Sequence, residues 1–139
     1  MKTVSVNRLG PFGLVVTGEA TDYVDALQRI VGPKLLATYR VRDESEVLEL
    51  VQARVADAIV LDEDATRLDT LRLLRMIRQI DNALLVVLLA SRADRRMLEE
   101  ALRLAAFSVV TKPLRLEELL VQVHRMMVRL DLALRREQL

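Results

Sequence analysis

Apolar positions along the chain gather into five runs of strand length, Phe12–Val16, Leu35–Tyr39, Ala58–Leu61, Leu84–Leu89 and Phe107–Val110. Between them, apolar residues recur at helical spacing over Asp22–Ile30, Ser45–Arg54, Asp69–Ile80, Asp94–Leu104, and from Leu116 to near the C-terminus. Each of these segments begins near a residue able to cap a helix or follows a proline. Successive side chains of a strand point to opposite faces of its sheet, so a strand that is apolar throughout is covered on both sides. Strands of this kind alternating with helices predict an α/β domain, a doubly wound parallel sheet with helices on both faces. Ligands of such sheets sit outside the carboxyl ends of the strands. Those ends read Val16-Thr17-Gly18-Glu19, Leu61-Asp62-Glu63-Asp64, Leu89-Ala90-Ser91 and Val110-Thr111-Lys112-Pro113. Asp62 and Lys112 each close an apolar strand with a charge, which sets up an opposed pair at the sheet edge.

Composition narrows the chemistry. A chain of 139 residues, 52% apolar and 29% charged, with 4 Gly and 3 Pro, has the balance of one packed domain. Basic and acidic side chains number 21 and 20, so the charge balance points to neither a nucleic acid nor an anionic membrane as partner. The absence of cysteine rules out disulfides, thiolate metal sites and cysteine nucleophiles, and fits a reducing cytoplasm. Met1–Asn7 alternates polar and apolar residues without a long apolar core, and the longest apolar run, Ala83–Ala90, has the length of a strand. Neither a signal peptide nor a membrane span is expected. No nucleophile–base pair or glycine-rich phosphate loop is visible, which argues against a small α/β enzyme.

The order of motifs resembles one family. Ala56-Asp57-Ala58-Ile59-Val60-Leu61-Asp62, then Asp69 and Leu71-Arg72-Leu73-Leu74-Arg75-Met76-Ile77-Arg78, resembles the phosphoacceptor strand, loop and third helix of bacterial response-regulator receiver domains. Ala90-Ser91-Arg92-Ala93-Asp94, Val110-Thr111-Lys112-Pro113 and Glu117-Glu118-Leu119-Leu120 resemble that family's later strand ends and last helix. The resemblance spans about residues 12–130, leaving 1–11 as an N-terminal extension and 131–139 as a C-terminal helical extension. It implies a flavodoxin-like sheet of order 2-1-3-4-5 and a cis peptide before Pro113. It places Asp62 at the phosphorylated aspartate and Lys112 at the lysine that pairs with the phosphoryl group.

Departures accompany the matches. The acidic pair with which receivers hold magnesium corresponds to Thr17 and Gly18, and only the following Glu19 is acidic. The switch hydroxyl corresponds to Ala90 and the switch aromatic to Val109. The proline and glycine after the phosphoacceptor correspond to Thr66 and Thr70, and the glycine before strand five to Ala105. Ser91 is one residue out of register with the hydroxyl, which aims it to the other face. Without the acidic pair Asp62 is expected to face Lys112 nearly alone, a one-to-one ion pair that needs no metal. Glu19, Glu63, Asp64 and Asp62 still offer oxygens, so a weakened Mg²⁺ site remains an option.

These features lead to a pseudo-receiver: a non-enzymatic module with a degenerate phosphorylation site, acting through protein partners such as a histidine kinase or an output protein. The alternative is a genuine response regulator phosphorylated on Asp62 by a histidine kinase. His124, on the last helix among Val123, Met126 and Met127, reads as a partly packed helix residue and not as a phosphotransfer group. The apolar stripe Leu116, Leu119, Leu120, Val123, Met126, Met127, Leu130 and Leu134 continues past the expected domain end, with Leu139 beyond it. Homodimerisation through that helix is therefore a further expectation.

Overall fold

The computed structural model describes residues 10–67 and 69–138, with side chains as far as Asp131. Strands β1 (Phe12–Val16), β2 (Leu36–Arg40), β3 (Ala58–Asp62), β4 (Leu85–Ala90) and β5 (Ser108–Thr111) alternate with helices α1 (Val24–Val31), α2 (Glu44–Gln52), α3 (Thr70–Ile80), α4 (Arg95–Arg103) and α5 (Leu116–Gln138). Short 3-10 turns at Gly18–Tyr23 and Glu63–Ala65 follow β1 and β3. All strands are parallel, as the pattern predicts, in the order β2-β1-β3-β4-β5 that the family resemblance implies.

Alternation within the strands builds two apolar layers. Leu14, Val16, Val60, Val87 and Leu89 pack with Leu27 of α1 and Leu119, Val123 and Met126 of α5. Val15, Ile59, Leu61, Val86 and Leu88 pack on the other face with Val47 and Val51 of α2 and Leu73, Leu74 and Ile77 of α3. Complete burial of each such side chain stabilises the fold by roughly 1.5–3 kcal/mol. Asp43, Asp69 and Asp94 each accept a hydrogen bond from the first turn of the helix that follows, a contribution of about 1 kcal/mol apiece.

Element boundaries move by a residue or two from the expected ones. After β1 the chain first turns through the 3-10 segment from Gly18, so that α1 begins at Val24 and not at Asp22. In the last helix Leu119, Val123 and Met126 face the sheet, and Leu120, Met127 and Leu130 flank them. The side chains of Leu134 and Leu139, on which the dimer expectation rests, and residues 1–9 of the N-terminal extension lie outside the described residues.

Candidate functional site

Three neighbouring strands end side by side. Asp62 pairs in register with Leu89, and Ala90 with Thr111. Glu63, Ser91 and Lys112 are therefore the first residues beyond β3, β4 and β5, and Thr17 the first beyond β1.

Asp62 is 1% exposed. Its Oδ2 accepts from the Glu19 N–H at 2.9 Å, and its Oδ1 from the Asp64 N–H at 2.9 Å and the Lys112 ammonium at 2.8 Å. Burial pushes its carboxyl up, but the Glu19 N–H, the Lys112 ammonium and the Asp64 N–H outweigh burial and hold it below its ordinary value. Thr17 completes the seat: its hydroxyl accepts from the Asp62 N–H at 2.8 Å and donates to the Val60 carbonyl at 3.0 Å. Gly18 has φ +56°, and a Cβ there would collide with the Asp62 carboxylate. Glycine is thus what lets the carboxylate lie back against the turn and reach Glu19 N–H.

Lys112 departs from the one-to-one pairing expected of it. Its Nζ stands 2.8 Å from Asp62 Oδ1, 2.6 Å from Asp64 Oδ2 and 3.4 Å from Glu19 Oε2. The sequence hides this because Glu19 and Asp64 belong to loops whose turns only the fold brings over the lysine. Burial lowers the Lys112 ammonium's affinity for its proton, but its hydrogen bonds to Asp62 and Asp64 and the carboxylate field raise it well above the ordinary lysine value. Glu19 also accepts from Leu114 N–H at 2.9 Å, and Tyr23 donates to the Leu114 carbonyl at 2.7 Å, which holds the turn after the cis Lys112–Pro113 peptide against the first loop.

A family model for the response regulator receiver domain matches residues 14–124. The chain belongs to the response regulator receiver domain family. Among solved structures, this receiver is similar to a two-component response regulator from Clostridium difficile, at 18% identity and TM-score 0.71 over 86% of this chain and 98% of that one. A CheY-like receiver domain protein from Methanospirillum hungatei JF-1 gives 14% identity and TM-score 0.73 over 92% and 99% of the two chains. The signal receiver domain of a putative Luxo repressor protein from Vibrio parahaemolyticus gives 15% and 0.74 over 88% and 95%. At these identities the likeness concerns the fold. No curated protein matches the chain.

The remaining receiver positions divide between the site and the layers behind it. Ala90 is fully buried, and Val109 packs on the α2–α4 face. Ser91 is exposed, and its backbone N–H donates to the Glu63 carboxylate. Thr70 is buried in the first turn of α3, and Thr66 is partly buried. Ala105 adopts φ +57°. His124 is exposed and, with Phe107, Arg125, Val128 and Arg129, lines a shallow cavity of about 360 Å³. Thr17, Tyr23, Glu63 and Arg78 hold the receiver together in ways the sequence reading did not find. Only a residue's partner reveals such a role, and most of these partners are distant in sequence.

Mg²⁺ in octahedral coordination needs oxygen ligands that converge with their lone pairs free. In this receiver Asp62 spends both oxygens on three donors, the Thr17 hydroxyl is turned onto Val60, and position 18 has no side chain. The point on which Asp62, Asp64 and Glu19 converge is occupied by Lys112 Nζ. As folded, these residues do not fit the dication.

Proposed function

We propose that this receiver is a cytoplasmic signalling module with a degenerate phosphorylation site, acting by protein–protein contact and not as an enzyme. A kinase or output protein is the class of partner, met through α4, β5 and α5, and neither a nucleic acid nor a membrane is required. Among the described residues no helix is long and apolar enough to cross a membrane. One observation carries the reading: the Asp62 carboxylate is buried with three donors already satisfying it. Phosphorylation would place about two negative charges where Asp62, Asp64 and Glu19 already share one ammonium. Phosphoryl transfer also relies on cationic groups that neutralise the equatorial oxygens. Lys112 is already shared among Asp62, Asp64 and Glu19.

Intact-mass measurement after incubation with acetyl phosphate and Mg²⁺ tests this, with Asp62→Ala as the control. The expected result is no Asp62-dependent gain of a phosphoryl mass. A stoichiometric gain at Asp62 establishes the alternative, a phospho-accepting response regulator. The proximity of Lys112 to Asp62 is the observation that favours that second reading.

A further inference from the structure

β2 lies at one edge of the sheet and pairs only with β1. Peptide groups along a strand point alternately to its two sides. The Phe12 N–H donates to the Leu35 carbonyl at 2.8 Å and the Val41 N–H to the Val16 carbonyl at 3.1 Å, so the odd-numbered residues of β2 turn their peptide groups to β1. Those of Leu36, Thr38 and Arg40 turn away. The chain closes the first of these itself: the Leu36 N–H donates to the Gly32 carbonyl at 3.1 Å, and the Leu36 carbonyl accepts from the Gln28 amide at 3.2 Å. The same amide donates to the Thr38 hydroxyl at 3.1 Å and reaches no further. The backbone N–H and C=O of Thr38 and Arg40 are thus left without a partner among the described residues. Edge strands are ordinarily blunted by proline, a bulge or an outward charge. β2 has neither proline nor bulge, and its Arg40 side chain is drawn aside to Asp25 at 3.3 Å.

We infer that this edge receives the β2 edge of a second copy, antiparallel about a two-fold axis at Tyr39, so that two sheets join into one. Thr38 of each copy then lies opposite Arg40 of the other, as a pair that exchanges both hydrogen bonds. Every open N–H meets an open carbonyl, and no open group is left over. That match of number and spacing selects a second copy as the occupant. The incoming strand is already extended and held by its own β1, so it avoids the ordering cost of a loose peptide. Tyr39 lies on the α2 side, where with Val41 and Leu50 it lines a groove of about 360 Å³ rimmed by Glu46 and Glu49. The two-fold axis sets the Tyr39 rings of the two copies against each other over these grooves, the closer kind of cross-strand pair. Arg40 and Arg42 stand beside Asp25, Glu46 and Glu49 along the rim, so two copies meet without strong net repulsion. β2 is the sheet edge opposite β5, so this contact is separate from the partner surface proposed above.

The chain contains no cysteine, so single-cysteine variants report the register directly. Under mild oxidation Tyr39→Cys is expected to form a disulfide-linked dimer about 10-fold faster or better than Arg40→Cys, because only a residue that faces its own copy brings the two Cα atoms within bonding reach. It should likewise outrun Leu102→Cys, at a position on α4 that is 79% exposed and so measures random collision. Sedimentation equilibrium of the wild-type chain should show monomer and dimer in exchange, weakly associated because the paired stretch is short. Thr38→Pro should weaken the dimer about 10-fold or more, since proline removes one outward N–H from each copy, two of the four bonds, and none of those to β1. Circular dichroism monitors folding of each variant. A wild type that stays monomeric at millimolar concentration overturns the inference, as does a dimer that Thr38→Pro leaves intact. Equal cross-linking at the three cysteines overturns it too. Should Thr38→Pro misfold, the cysteine rates decide.

Discussion

The carboxyl edge of β1, β3 and β5 and the neighbouring helix α4 are held in place by different means. At the edge, buried charges are matched donor for acceptor: Asp62, Lys112, Glu19 and Thr17 satisfy one another within a few ångströms. Helix α4 buries only Ala101 fully, while Leu98 and Leu102 are 43% and 79% exposed. It is tied instead by polar contacts at its C-terminal end and at Glu100. The Arg78 guanidinium, at the end of α3, donates to the carbonyls of Leu104, Ala105, Asp81 and Leu84, and Arg75 pairs with Glu100 at 2.9 Å. Paired buried charge gives one stiff arrangement, because any shift leaves a group unsatisfied. A helix with little apolar burial opens at low cost. Helix α4, part of the proposed partner surface, and the charged edge thus differ in stiffness.

The contrast breaks most sharply at Gly18. Gly18→Ala should destabilise the fold by about 2–5 kcal/mol: about 1–2 for the left-handed backbone and about 1–3 for evicting Asp62 from the Glu19 N–H. A fall in the urea midpoint at constant slope would show it. The same change in an Asp62→Ala background should cost less, since the collision is gone. Equal costs would mean that the glycine serves the turn alone.

Arg78→Ala tests the other region and should cost about 2–3 kcal/mol, from lost hydrogen bonds of a charged donor to backbone carbonyls. Amide exchange should accelerate in α4 and in the loop after α3, not around Asp62. Arg78→Lys should rescue little, because an ammonium cannot span the same acceptors.

Acidity should act mainly on the edge. Asp62 is held below its ordinary value of 3.8, so its contribution is full above that pH and is lost as the pH falls through the folded-state value. Lys112 is held above its ordinary 10.5, so its contribution is full below that pH and fades as the pH rises further. Stability from the pair should therefore be flat between these limits, and each pH unit outside them should remove no more than about 1.4 kcal/mol per group. Chemical denaturation across pH, with Asp62→Asn for comparison, checks the sign: the variant should lose the acid limb.

The smallest expected effect is a gain. Ala105, exposed between α4 and β5 at φ +57°, bears a backbone strain that glycine lacks. Ala105→Gly should raise stability by at most about 1 kcal/mol, since the entropy of the unfolded chain offsets part of the relief. A small rise in Tm accompanied by slower exchange in α4 is the expected result.

The sequence by itself determined the sheet and its helices, because continuous apolar strands and helical spacing are local signals repeated along the whole chain. Asp62 and Lys112 were legible for the same reason: a charge that closes an apolar strand stands out wherever the strand ends. The uncharged residues Thr17 and Gly18 after β1 were legible too, by position. Tertiary structure alone decided what became of those residues. Convergence of Glu19 and Asp64 on Lys112, the close approach of Gly18 to Asp62, and the reach of Arg78 across to Leu104 and Ala105 all join residues from separate elements. Apolar burial depends on a residue's own face of a strand or helix, which periodicity reveals. A hydrogen bond or ion pair depends on distances of about 3 Å between particular atoms, which only the packed fold sets.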